Sequence, residues 1–509
     1  QLRIMSGKVY LVGAGPGGCD LITVKGKKAL QEADVVLYDR LANQQLLDFA
    51  EDDVSLYYVG KKADNHYRTQ NEINDLLIKL AREGKTVTRL KGGDPFIFGR
   101  GGEETSVLAR ENIEFEIVPG ITSPIAVPAY AGIPLTQRYI SSSFAVITGH
   151  EAPDKEESDI DWNRLAKSVD TLVILMGVGN LPKITEKLKE AGLPLNTPVA
   201  LIRWGARPDQ ETLQGDLSNI VDRVRDRNFQ PPAVIVVGQV VNLRNDLNWY
   251  ENKPLYGKEI VITRPDGQAA SFCDLLEKEG ARTIKAPTIK INPPEDYQSL
   301  DKRIQDLQVY DWIIFTSVNG VKYFMDRLFY NNLDVRALAN TKLNSIGAKT
   351  AERLKDFGLF VDFMPQLYST EAILKGFEGI KIEGKRFLLP RADIAPPELE
   401  EGLVEMGAIV DNVTAYCNIN PPINEEVYHK LAAGELDMVT FTSSSTVRNF
   451  MDGLKDYNAN IISKLTDVDI ACIGPVTART AREAGLAVEV IADEYTIEGL
   501  VDEILKYYN

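Results

Sequence analysis

Short apolar runs, each closed by glycine, proline or a polar turn residue, recur along this chain. They alternate with longer stretches in which apolar residues return every three or four positions. Lys8–Val12, Ala33–Tyr38, Leu172–Val178, Ala233–Val237 and Glu259–Thr263 are such runs, and they predict buried strands between helices. The fold class expected is therefore α/β. None of these runs approaches the ~20 apolar residues of a membrane-spanning helix, so no membrane is implied. The alternation lapses over Asn248–Tyr256, where Pro254 interrupts it. That lapse divides the chain into a first module over 1–250, a linker over 251–256 and a second module over 257–509, each long enough for its own core.

The second module repeats itself. Gly257-Lys258 returns as Gly384-Lys385 (384−257 = 127). At the same spacing within one residue, Arg264 returns as Arg391, Gly280-Ala281 as Gly407-Ala408, Phe315-Thr316-Ser317 as Phe441-Thr442-Ser443, and Ile346-Gly347 as Ile473-Gly474. A period of that length is far beyond a solenoid unit and reads as two similar doubly wound lobes with a cleft between them. Pro287–Pro294 and Val413–Pro422 hold equivalent places and are the expected crossovers, which makes the lobes discontinuous: 257–291 with 421–509, and 292–420. The strand exits at Thr316–Gly320 and Thr442–Thr446 offer hydroxyls and N–H groups that suit anions. The same residues serve equally well as helix N-caps.

Composition narrows the function classes. In 509 residues the hydrophobic share is 44% and the charged share 26%, near the averages of soluble globular proteins. A formal net charge of -16 argues against a nucleic-acid partner, and an anionic substrate would need a local arginine-rich cleft. Four cysteines and three histidines are scattered without metal-ligand spacing, so no metal site and no structural disulfide is expected. That usage fits a reducing compartment, and with no secretory pattern before Lys8 it predicts a cytoplasmic address.

Gly13-Ala14-Gly15-Pro16-Gly17-Gly18 follows the first strand and satisfies Gly-x-Gly-x-x-Gly, while Asp39 closes the next strand where a ribose-binding acid would stand. An NAD-dependent oxidoreductase fused to a bilobed ligand-binding module is therefore one reading. Pro16 removes an N–H from the loop that would cradle pyrophosphate. A second glycine-rich strand exit, Gly92-Gly93-Asp94-Pro95 running on to Phe98-Gly99-Arg100-Gly101-Gly102-Glu103-Glu104, has no place in a dinucleotide fold.

Together with Tyr38-Asp39-Arg40-Leu41, Pro119–Ser123 and Ala131–Thr136, these motifs resemble the uroporphyrinogen-III C-methyltransferases over roughly residues 8–245. The resemblance implies a tetrapyrrole methylase fold, two α/β subdomains with S-adenosylmethionine in the trough between them, and a homodimer formed through this half. It implies cofactor contacts at Pro16, Gly92, Gly93, Asp94, Ile97, Thr122, Ser123, Met176 and Gly205. It also implies a proton acceptor in Asp39 and a donor in Lys61, for which the neighbouring Lys62 is an equal candidate. Arg40, Arg100 and Arg138 would form the cationic cleft for the macrocycle's carboxylates, with Arg100 counted among the catalytic candidates. Two plainer readings stay open. Glu103 and Glu104 sit in the first turn of a helix, where its dipole favours them, and Met176 follows an apolar run and suits a core position. The chain departs from the resembled enzymes at Gly18-Cys19, where they have Asp-Pro, and at Gln137, where they have His.

Ile262-Thr263-Arg264-Pro265, Phe315–Gly320, Val413–Tyr416, Phe441–Val447 and Ile473–Ala478 resemble the uroporphyrinogen-III synthases across 257–509. That resemblance implies closure of hydroxymethylbilane to uroporphyrinogen III, without a cofactor and with inversion of the last ring. Candidate substrate contacts are Arg264, Ser317, Asn319, Gly347, Ser443, Ser444, Gly474 and Thr477. Tyr416, on a crossover and expected to face the cleft, is the candidate to assist loss of the substrate hydroxyl, although tyrosine is also a common strand residue. The expected protein thus makes uroporphyrinogen III in its second half and transfers two methyl groups to it in its first, giving precorrin-2 for sirohaem or cobalamin synthesis. A ligand sensor that binds such tetrapyrroles without turnover is the third reading.

Overall fold

The computed structural model describes residues 7–51, 53–60, 69–150, 160–365 and 369–509. Its contacts define two compact units, one running to Lys258 together with Glu277–Arg282, the other Glu259–Leu276 with Thr283–Asn509.

In the first unit, β1 (Lys8–Gly13), β2 (Val35–Tyr38), β3 (Ser55–Tyr58), β4 (Val87–Lys91) and β5 (Glu114–Val118) form a parallel sheet in the order β3-β2-β4-β1-β5. Strand alternation explains why both faces are apolar. Val9 and Leu11 pack with Leu37 and Leu77 on one side, while Val12 packs with Leu30 and Val36 on the other. A second sheet holds β6 (Phe144–Thr148), β7 (Thr171–Leu175), β8 (Pro198–Arg203), β9 (Glu211–Asp216) and β10 (Ala233–Val237) in the order β6-β7-β10-β8-β9. There β6 and β7 run parallel and the remaining neighbours antiparallel. The first and second sheets are therefore unlike.

The segment 251–256, expected as a linker, is folded onto the first unit. Leu255 is fully buried, Arg244 pairs with Glu251, and Glu251 also accepts from Gln210 (2.7 Å) and Thr212 (2.6 Å). The Tyr256 hydroxyl donates to the Gln210 carbonyl. A buried ion pair and a run of edge-on rings through Tyr130, Tyr250 and Tyr256 hold down the segment in which Pro254 interrupts the alternation.

In the second unit, β11 (Glu259–Ile262), β12 (Arg282–Lys285), β13 (Lys290–Asn292), β14 (Trp312–Phe315) and β15 (Lys342–Ser345) come first. They are followed by β16 (Arg386–Ala392), β17 (Ile409–Ile419), β18 (Met438–Phe441), β19 (Asp469–Cys472) and β20 (Val490–Ile491). Two sheets result, β12-β11-β18-β19-β20 and β13-β17-β16-β14-β15. Strands related by the repeat, β11 with β16, β12 with β17, β18 with β14 and β19 with β15, hold the same places in the two orders. Even the edge repeats, because Phe363 bridges Asn344 where β20 pairs with β19. The two crossovers meet as an antiparallel pair, Ile291 opposite Asn418. β13 thus joins the second lobe's sheet from Lys290, slightly before the expected start at 292.

Among the described residues no helix is long and apolar enough to cross a membrane.

Candidate functional site

In the first unit, strand exits from both sheets line a cavity of about 510 Å³. Its walls are apolar at Ile97, Val127, Leu175 and Met176, and at Gly92, Gly93 and Gly205 backbone is exposed to it. Space forces glycine at 205, where a Cβ would lie 2.3 Å from the Val127 side chain. Phe98, Met176 and Trp204, all lining residues, hold φ of 52°, 55° and 48°. A non-glycine residue in that region costs about 1–3 kcal/mol, and such strain collects where a site must be shaped. Met176 is 53% exposed, so it is not a core residue.

Of the cofactor candidates, Pro16, Gly92, Gly93, Ile97, Ser123, Met176 and Gly205 line this cavity. Asp94 does not. Its carboxylate accepts from the Phe96 N–H (2.8 Å) and the Gly120 N–H (3.0 Å), tying the second glycine loop to the loop after β5. Thr122 is the N-cap residue of the helix Ser123–Tyr130.

The first glycine loop has little left for a pyrophosphate. The Ala14 N–H donates to the Lys91 carbonyl (2.7 Å), Gly15 and Gly93 exchange hydrogen bonds (3.2 and 2.9 Å), and the Gly18 N–H donates to the Ala206 carbonyl (3.2 Å). A single 3-10 turn, Cys19–Leu21, follows the loop and the next α-helix starts only at Val24, so the loop's glycines do not lead into an α-helix N-terminus as a dinucleotide fold requires. Titratable lining side chains are His150 and Arg207, and Arg207 is paired with Asp209 (2.9 Å). Apolar walls with exposed backbone fit an uncharged adenosyl group far better than two phosphates.

Asp39 directly follows β2, with Oδ2 3.4 Å from Arg89 Nη2 and Oδ1 buried without a partner. Arg40 and Arg138 are exposed, and Arg138 lies in the turn closed by Gln137 and Ser141. Arg100 caps the helix Gly101–Arg110 in a left-handed conformation and makes two hydrogen bonds to Glu103 (2.9 and 2.7 Å). None of these three arginines lines the cavity. Lys61 lies outside the described residues. Glu103 and Glu104 are alike in the sequence, but the structure separates them. Glu103 is a surface partner of Arg100, while Glu104 is fully buried against Lys91 (2.9 Å).

In the second unit the candidates fall at helix N-termini beyond neighbouring strands. Ser317 caps the helix Val318–Tyr330, whose second residue is Asn319, and Gly347 is the N-cap of Ala348–Asp356. In the other lobe, Ser443 and Ser444 follow β18, and Gly474 is the N-cap of Pro475–Glu483, which carries the buried Thr477. The Ser444 hydroxyl accepts from Thr480 (2.7 Å). Burial lowers the guanidinium of Arg264, against an opposing effect from Glu498. Arg391, its counterpart in the repeat, was not singled out from the sequence, although the repeat itself was the signal. It is 3% exposed, donates to the Pro396 carbonyl (3.1 Å), and has Nη2 buried without a partner.

Tyr416 was expected to face a cleft, but only 7% of it is exposed. It packs in the lobe's core, stacks on Tyr323 with centroids 5.8 Å apart, and reaches Ser317 Oγ with its hydroxyl (3.0 Å). Burial raises the phenol above its ordinary value, so at neutral pH it carries its proton.

The family of tetrapyrrole (corrin/porphyrin) methylases matches residues 8–221, and that of uroporphyrinogen-III synthase HemD matches residues 270–502. The chain is 37% identical over 503 residues to the porphyrin biosynthesis protein HemD of Ruminiclostridium josui, covering 98% of each. It is 56% identical over 236 residues to a uroporphyrinogen-III C-methyltransferase of Priestia megaterium, covering 46% of this chain and 99% of that one. It is 52% identical over 241 residues to the S-adenosyl-L-methionine-dependent uroporphyrinogen III methyltransferase of Methanosarcina barkeri, covering 47% of this chain and 94% of that one.

Proposed function

The chain belongs to the tetrapyrrole methylases through its first half and to the uroporphyrinogen-III synthases through its second, and from that premise we propose how its residues divide the work. The second half closes hydroxymethylbilane to uroporphyrinogen III, and the first half methylates that product twice to precorrin-2. The observation that carries the first activity is the 510 Å³ cavity, apolar at Leu175 and Met176 and open to backbone at Gly92, Gly93 and Gly205. Bound there, S-adenosylmethionine supplies an electrophilic methyl group to a pyrrole carbon.

The chain's own residues supply alignment, water exclusion and proton removal. Asp39 Oδ1 accepts the proton released from the macrocycle. Arg40, Arg100 and Arg138 pair with its carboxylates, and Arg100 does so by exchanging Glu103 for substrate. In the second half, the Tyr416 phenol donates to the departing hydroxyl, while helix N-termini and hydroxyls around Ser317, Gly347, Ser443 and Gly474 hold carboxylates in a cleft between the lobes.

S-Adenosylhomocysteine should raise the melting temperature of the first unit, as any native-state ligand must, and NADH should not. A shift with NADH and none with the adenosyl compound would remove the methyltransferase assignment from this site. The same reading includes a cytoplasmic address and a homodimer formed through the first half, which light scattering should report as twice the 56.5 kDa chain mass.

A further inference from the structure

β4 is the central strand of the parallel sheet and every one of its residues is buried, yet it carries Arg89 and Lys91. Two positions apart, they project to the same face. Their side chains are 4% and 5% exposed, and both reach Glu104, whose side chain is 0% exposed. One carboxylate oxygen, Oε1, takes Lys91 Nζ at 2.9 Å, Gln70 Nε2 at 3.1 Å and Arg89 Nε at 3.4 Å. The other oxygen, Oε2, is buried without a partner. Arg89 continues the chain, since its Nη2 lies 3.4 Å from Asp39 Oδ2.

This is a costly way to fill a core. Charges taken out of water recover their hydration only in part, and apolar residues of like volume would often stabilise the sheet as well or better. The four charges balance in sign, the array terminates at Asp39, and Lys91 stands directly before the cavity-lining Gly92 and Gly93.

We propose that Glu104 is a positioning residue for Asp39 and acts through Arg89. The inference rests on the reading of Asp39 as the proton acceptor. Glu104 draws the guanidinium toward itself, so that Arg89 touches Asp39 through one nitrogen and leaves the buried Oδ1 without a donor, its lone pairs unclaimed. Without the Glu104 charge, the guanidinium is free to close on Asp39 with two nitrogens and to occupy both oxygens. Burial and the neighbouring guanidinium lower the Lys91 ammonium, and Glu104 opposes both.

The test is a double-mutant cycle in the full chain, with uroporphyrinogen III and S-adenosylmethionine supplied. Glu104→Gln keeps the shape and an acceptor. It should lower kcat for methyl transfer about tenfold, leave KM for uroporphyrinogen III within about twofold, and leave the melting-temperature rise with S-adenosylhomocysteine unchanged. In an Asp39→Asn background it should cost nothing further, because the group it positions is already disabled. Arg89→Lys, which keeps the charge but cannot span both carboxylates, should follow the same rule and serves if the Gln variant fails to fold. Equal losses in both backgrounds, an unchanged kcat, or a loss carried by KM would overturn the proposal. If wild type methylates but Asp39→Asn is equally active, the reading of Asp39 fails and the positioning role falls with it. If wild type gives no methylated product, the methyltransferase reading itself is at fault.

Discussion

The first half draws its site from two unlike sheets, whereas the second draws its candidates from two copies of one sheet. Strand exits of a parallel sheet and a mixed one line a cavity whose shape depends on Phe98, Met176 and Trp204 in left-handed conformations. Two copies instead present the same kind of strand exit twice, Ser317 with Gly347 in one lobe and Ser443 with Gly474 in the other. Duplication thus supplies paired helix N-termini, but it cannot by itself supply a unique acid. That must come from a position the copies do not share. Tyr416 is such a position, since the matching stretch 287–292 contains no tyrosine.

The largest effect expected from breaking this division is at Asp39. Asp39→Asn keeps size and cofactor binding but cannot accept a proton, so methyl transfer should fall by about a hundredfold or more, while ring closure by the same chain stays at its wild-type rate. Single-turnover methylation measures the loss, and unchanged turnover would demote Asp39 to a strand-end acid. Tyr416→Phe should do the converse, slowing ring closure by up to about a hundredfold and raising the share of the uninverted type I isomer. Methylation of supplied uroporphyrinogen III should not change. If both rate and isomer ratio stay at wild-type values, the phenol is a packing residue and the acid lies elsewhere. Gly205→Ala pushes a methyl into Val127 and should weaken S-adenosylhomocysteine binding about tenfold by calorimetry, again sparing ring closure. Undiminished affinity would mean that this wall yields.

The smallest effect is one of stability. Glu116 is held down to about 2 by hydrogen bonds from Lys25 and then Lys8. A depressed carboxylate stabilises the fold above its ordinary value of 4.5, and that contribution fades as pH falls toward about 2. The pair is at the surface, so Glu116→Gln should lower the first unit's melting temperature by no more than about 2 °C at pH 7. The gap to wild type should close on acidification, and a gap constant down to pH 3 would contradict the assignment.

Much of this was legible because it is written in spacing. The repeat from Gly257 to Gly384 predicted two like lobes, and Pro16 in the first glycine loop argued against pyrophosphate before the loop's hydrogen bonds could be seen. What escaped depends on which way a residue turns. Glu103 and Glu104 are equivalent for a helix dipole, and only the helix's phase against β4 sends one to Arg100 and the other into the core. A signal existed in Arg89-Leu90-Lys91, charged residues at alternate positions of a strand that must be buried, which demand a buried counter-charge. The packing of 251–256 was hidden for a similar reason. Pro254 marks a break in periodicity, whereas tertiary partners such as Arg244 and Gln210, which periodicity does not reveal, hold the segment in place.

One chain carries both activities in succession. Purified protein given hydroxymethylbilane should yield uroporphyrinogen III rather than the type I isomer, and with S-adenosylmethionine added the product should gain the mass of two methyl groups. Type I product alone, or uroporphyrinogen III that gains no methyl group when the cofactor is present, would contradict the account.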